Sequence, residues 1–229
     1  MEETHPDIPD ATDSIQDIVT HFLPVEIVAQ VFIHFMAMVA YQPFSWRGDS
    51  ARYYLDCQSA PPMILSAVCR SWRNIAVVTP ELWTSPNIVM YDERTSDMVV
   101  EILDLWLNRS RNLPLHISFV GDVNWMLDYS YWEPIFERAK TCSERWETLR
   151  LEMSRKAWCH FFEGFRCPPS LKGIRLVAPA GEDREWELDS PAEFIRPTLH
   201  GLEELHIQNV SWQEVDIAWE NLIVFEAGP

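Results

Sequence analysis

Glycine is scarce in this chain, with 7 in 229 residues. Phosphate cradles and nucleotide-binding turns need clustered glycines, because a side chain would keep the backbone away from the phosphate. No glycine-rich phosphate loop, dinucleotide fingerprint or G-x-S-x-G elbow occurs. Basic residues are also few: 18 Lys and Arg against 35 Asp and Glu give a formal charge of −17, which leaves no electrostatic footprint for nucleic acid. The 5 cysteines are odd in number and lack C-x-x-C spacing. That argues against a disulfide framework and a closed zinc site, and for reduced thiols in the cytoplasm or nucleus. Cys159-His160 and Cys167, with Cys142 upstream, read as buried or incidental thiols, since helical neighbours point in different directions. They carry no local nucleophile signature. No apolar run reaches bilayer-spanning length, so no membrane partner is expected. Residues 1–17 hold Glu2, Glu3, Asp7, Asp10, Asp13 and Asp17 with no Lys or Arg. They do not read as a signal peptide and are expected to form an acidic, disordered tail. The expectation is a chain without catalytic, metal or cofactor site. The run Glu182-Asp183-x-Glu185-x-Glu187-x-Asp189 reads as a solvated loop.

What is present is apolar material: 47% hydrophobic residues, including 11 Trp. The length allows one large or two small domains. The charge is unevenly spread. Six of the seventeen excess negative charges lie in residues 1–17, residues 18–83 balance, and the other eleven lie beyond. A neutral module joined to an acidic one predicts a boundary near Thr84 to Asn87.

The neutral module contains three helical blocks. Pro24 suits a first helical turn and Glu26 the positive end of the macrodipole. Ile27, Val31, Phe32, Phe35 and Val39 then recur at helical spacing. A second helix starts at Pro61-Pro62 and carries Ile64, Leu65 and Val68. A third, Ser71 to Val78, carries Trp72, Ile75 and Ala76 and stops at Pro80. Three short helices bury little area by themselves. Their surplus apolar face is expected to cover itself with a partner.

The ordered blocks Leu23-Pro24-Val25-Glu26-Ile27, Val31-Phe32, Val68-Cys69-Arg70-Ser71-Trp72-Arg73-Asn74-Ile75-Ala76 and Thr79-Pro80-Glu81-Leu82-Trp83 resemble an F-box. This is the helical module that attaches substrate receptors to SCF-type ubiquitin ligases. The resemblance covers about a quarter of the chain, residues 18–83. The segment 40–60 departs from the usual spacing and resembles the long first loop of fungal F-box-like proteins. The resemblance implies a Skp-type adaptor and a cullin ligase core as partners. It implies adaptor contacts at Leu23, Pro24, Ile27, Val28 and Val31, with Cys69 and Trp72 near that surface. Phe32, Val68, Ile75, Leu82 and Trp83 are expected to pack inside and to join the next region.

Beyond Trp83 the pattern becomes strand, helix, strand, helix, which is a parallel α/β order. Strands are expected at Asn87–Met90, at Leu115, Ile117 and Phe119, at Leu149–Met153, at Ile174 and Leu176, at Leu205 and Ile207, and at Leu222–Phe225. Helices are marked by Met98 to Leu107, by Trp132 to Ala139, and by Trp158, Phe161, Phe162 and Phe165. Trp146-x-x-Leu149-x-Leu151, Leu171-x-x-Ile174-x-Leu176 and Leu202-x-x-Leu205-x-Ile207 share the form L-x-x-L-x-L. They resemble irregular leucine-rich repeats. An open α/β sheet would show the same periodicity. With the leucines inward, alternation turns His116, Arg150, Arg175 and His206 outward as one column. This column is either a groove for an acidic or phosphorylated target or ordinary solvated polar residues.

The expected fold class is therefore α+β. Residues 1–17 form the tail, 18–85 the F-box-like module with its insertion at 40–60, and 86–229 a leucine-rich-repeat-like α/β region. That region stops after an apolar stretch without a polar cap and is expected to be incomplete at its C-terminus. The expected function is a non-catalytic receptor that holds an unknown protein substrate for a cullin ligase. The alternatives are a repeat scaffold whose degenerate F-box joins no ligase, and a hydrolase with an unrecognised site.

Overall fold

The computed structural model describes residues 22–40, 61–90, 96–121, 132–163, 165–179, 198–199, 201–210 and 216–228. The tail, residues 41–60 of the expected insertion and the acidic run from Glu182 to Asp189 lie outside them.

The first helix, α1, is Val25–Ala40, so Ala40 belongs to the helix and not to the insertion. Pro24 stands just before it, where its missing N–H costs nothing, and its carbonyl accepts from Ile27 and Val28 N–H at 3.0 and 3.2 Å. Helix α2, Pro61–Val68, opens on two prolines. Helix α3, Arg70–Val78, is capped by Cys69, whose Sγ accepts from the Trp72 N–H at 3.5 Å. The Thr79 hydroxyl donates to the Ile75 carbonyl, and Pro80 opens a 3-10 turn, Pro80–Trp83.

Val28 and Phe32 of α1 pack with Leu65, Ile75, Ala76, Leu82 and Trp83 in one buried cluster. Two sequence expectations change here. Val28, read as an adaptor contact, is only 3% exposed and is a core residue. Val68, read as internal, is 40% exposed, because only Leu65 of α2 turns fully inward past the opening prolines.

The remaining elements are β1 Asn87–Met90, α4 Ser96–Arg109, β2 Leu115–Gly121, α5 Glu133–Lys140, β3 Trp146–Glu152, α6 Arg155–Phe162, β4 Gly173–Val177, β5 Thr198–Leu199, β6 Glu204–Gln208, β7 Asp216–Ile217 and β8 Val224–Gly228. Among the described residues the fold is α+β, with six helices and a six-stranded parallel sheet. The sheet order is β1-β2-β3-β4-β6-β8, while β5 and β7 pair separately. Each strand of the main sheet lies beside the preceding one, and the order never reverses.

Register explains the core. Ile117, Leu149, Ile174, Leu205 and Phe225 form one cross-strand row, and Phe119, Leu151, Leu176 and Ile207 lie in the next row on the same side. Apart from Phe225, these side chains share a buried cluster with Val99 and Leu103 of α4, Ile135 and Phe136 of α5, and Trp158 and Phe161 of α6. The three helices therefore cover one sheet face. Helix α6 ends at Phe162, not at the expected Phe165. The Phe165 N–H bonds to the Phe162 carbonyl at 3.0 Å, a tight closing turn that folds its ring against Trp146 and Phe161. The last strand begins two residues later than expected, at Val224. At the end of β6, Asn209 takes a positive φ of 55°, which asparagine tolerates. Its Nδ2 donates to the Ala178 carbonyl, and its own carbonyl accepts from Arg155 of α6.

The helical cluster and the sheet meet at Trp83. This residue is fully buried, donates Nε1–H to the Ala76 carbonyl at 2.8 Å, and meets Trp106 of α4 edge-on at 5.3 Å. The Arg109 guanidinium lies 4.3 Å from its ring centre. Trp83→Ala is expected to cost about 3–5 kcal/mol in chemical denaturation. A loss under about 0.5 kcal/mol, the range of surface substitutions, would show that this junction contributes little.

Candidate functional site

Helix α1 has two apolar faces. Val28 and Phe32 face the core. Ile27, Val31, Phe35 and Met38 stand one position away at helical spacing and remain outside, Ile27 at 49% and Val31 at 56% exposure. Leu23 is also exposed, as is Pro24. The described helix carries one acid, Glu26, and no Lys or Arg. Cys69 and Trp72 are half-buried, and the Trp72 ring packs at 4.9 Å against Phe32. Of the seven residues expected at this surface, Leu23, Pro24, Ile27 and Val31 are exposed, Cys69 and Trp72 lie partly beneath, and Val28 is inside. Phe35 and Met38 extend the exposed stripe. Their spacing from Val31 was the signal in the sequence.

The second surface is the sheet face opposite the helices. The observed row runs Asn87, Ser118, Arg150, Arg175, His206, Glu226. His116 is not part of it. Leu115 pairs with Trp146 but His116 with Thr148, so Glu147 is an extra residue that shifts the ladder. His116 therefore belongs one row earlier, with its Nδ1 3.0 Å from the Thr148 hydroxyl. The expected basic column is thus three residues long, and acids answer it. Arg150 pairs with Glu152 on its own strand, and His206 Nδ1 lies 2.9 Å from the Glu226 carboxylate. Burial, and then the charge of Arg150, lower the Arg175 pKa from its usual value, while Glu152 and Glu226 act in the opposite sense. The sequence reading took each outward column by itself and so paired no acid with the basic one, whereas Glu152 reaches Arg150 from the next column and Glu226 reaches His206 from the edge strand.

A third group surrounds Glu147. Lys172 Nζ approaches its carboxylate at 2.7 Å, and His116 stands 3.9 Å away. The Lys172 hydrogen bond holds the Glu147 carboxyl below the ordinary carboxylate range, and the same bond raises Lys172. Elsewhere, burial raises the thiol of Cys142 and pushes Cys167 up to about 11. Among the described residues no group of His, Cys, Asp and Glu is placed to hold a metal ion, and no helix is long and apolar enough to cross a membrane.

No protein-family model matches this chain, and neither a curated protein nor a solved structure matches it.

Two outcomes follow from these ionisations. With a pKa of about 11, the Cys167 thiol is a thiolate in on the order of one molecule in a thousand at pH 8. Iodoacetamide should leave it unmodified in the native protein and label it after denaturation, as read by peptide mass spectrometry. Rapid native labelling would contradict its burial. The Glu147 carboxyl should titrate below an ordinary glutamate by NMR, and Lys172→Ala should move its midpoint up. Because the folded pKa is depressed, the stabilisation is present above the ordinary carboxylate value and is lost as pH falls through the lowered midpoint. An unmoved midpoint would mean that the pair does not form in solution.

Proposed function

We propose that this chain is a non-catalytic substrate-recognition subunit of an SCF-type cullin ubiquitin ligase, acting in the cytoplasm or nucleus. The observation that carries the reading is the second apolar face of α1. The helical module closes its own core with Val28, Phe32, Leu65, Ile75 and Trp83, yet leaves Ile27, Val31, Phe35 and Met38 in water. A stripe of that kind on an already packed helix favours a docking interface. A protein partner fits it better than a lipid surface, because helices that lie on membranes carry Lys and Arg for anionic headgroups and this one carries none. The resemblance of the surrounding blocks to an F-box makes a Skp-type adaptor the partner. In this reading the parallel sheet is a short leucine-rich-repeat-like array, and its open face holds a target protein. Catalysis comes from proximity to a conjugating enzyme on another subunit and not from chemistry by this chain.

Ile27→Asp with Val31→Asp should abolish co-purification with the adaptor while leaving the fold intact. Burying each side chain contributes about 1.5–3 kcal/mol, and an unpaired charge in the interface adds a further cost. Normal binding by a folded double variant would overturn the docking assignment. Failure of the unmodified chain to bind any Skp-type adaptor would leave a repeat scaffold outside the ligase.

A further inference from the structure

The open sheet face ends in a cleft of about 390 Å³ over β4, β6 and β8, whose lining includes Arg175, Val177, His206, Gln208, Glu226 and Gly228. In-register parallel strands force neighbours in a row to stand about 4.8 Å apart. Arg150, Arg175 and His206 therefore meet side by side whatever their charges prefer. The pairing of His206 with Glu226 shows which chemistry answers this row, because a carboxylate oxygen already lies 2.9 Å from the imidazole. That carboxylate is loosely held. Glu226 stands on the last strand in sheet order, and its side chain is 66% exposed. Arg175 and His206 stand on strands paired on both sides. Val177 adds an apolar wall, Gln208 an amide donor, and Gly228 has no side chain to fill the space.

We propose that this cleft is a binding site for an oxyanionic side chain of an acidic peptide, held by the Arg175 fork and by His206, and that Glu226 is a built-in competitor that a ligand displaces. A guanidinium presents paired N–H donors that match a carboxylate or a phosphate in bidentate fashion. A tethered carboxylate on an edge strand holds His206 until a ligand with more contacts replaces it. The competition filters weak anions from strong ones. The proposal rests on the reading of the sheet as the target-holding half, and not on adaptor docking.

The test is an NMR titration of the full chain with two probes, the N-acetyl amides of phosphoserine and of glutamate. Saturable shifts are expected at the β4, β6 and β8 amides and at the His206 ring. The probe that binds more tightly identifies the anion as phosphate or carboxylate. Glu226→Gln should tighten binding by about threefold to tenfold, and Arg175→Gln should weaken it about tenfold or more. Arg175→Lys, which keeps the charge but not the fork, should also weaken binding and serves if the glutamine variant does not fold. The absence of saturable shifts with either probe, in both the unmodified chain and Glu226→Gln, would overturn the proposal. So would unchanged binding by a folded Arg175 variant. The Ile27→Asp, Val31→Asp chain should lose the adaptor yet keep these shifts, which separates failure of the cleft from failure of docking.

Discussion

The structure depends on the burial of Trp83. Its indole packs in the helical cluster, bonds to the last turn of α3, and makes a T-shaped contact with Trp106 of the first sheet-covering helix. Helix α4 thus belongs to two cores, because Trp106 packs in the helical cluster while its neighbours Leu103 and Leu107 pack against the sheet. A loose linker would let the two halves turn independently. A shared aromatic contact, with Arg109 against the same ring, removes that freedom. If α1 docks on one protein and the open face holds another, this contact fixes the vector between them.

Much of the fold was legible because burial acts on period. Alternation at Leu149, Leu151, Ile174, Leu176, Leu205 and Ile207 marked the strands and the side they bury. Register was harder. A slip of one residue would have turned leucines into water and would have been visible. A slip of two keeps every apolar residue inside, so pairing Leu115 with Leu149 looked as sound as the observed pairing of Ile117 with Leu149. The choice between them leaves no mark on the hydrophobic pattern. Helix α1 posed a similar ambiguity. Ile27 and Val28 are adjacent and both apolar, so spacing shows two stripes without saying which one the rest of the module covers. The answer came from Leu65, Ile75 and Ala76, which meet Val28 and Phe32. The charge balance of the open face was illegible for a third reason. Glu226 reaches His206 only because β8 lies beside β6, a tertiary fact that neither segment encodes locally.

Both candidate surfaces follow from excess. On α1 there is more apolar surface than the module can cover. On the sheet there are more like charges in one row than the backbone spacing favours. The first excess is left open to water, while Glu152 and Glu226 largely answer the second from within. A surface that is largely apolar, with Glu26 as its one acid, is of the kind that protein interfaces bury at their centre. A basic row whose acids come from the same sheet leaves its polar contacts closed within the chain.

The unreversed strand order has a further consequence, for how this chain folds. Leu149 pairs with Ile174 25 residues later, and Ile174 with Leu205 31 residues later, so each strand needs only the unit made just before it. Contacts so close in sequence keep the loop-closure cost small at every step. A chain emerging from the ribosome from its N-terminus can add strands to a growing edge without waiting for a distant partner. During synthesis the helical module comes first and Trp83 next, so the strand order lets the sheet extend from that joint in the order in which it is translated.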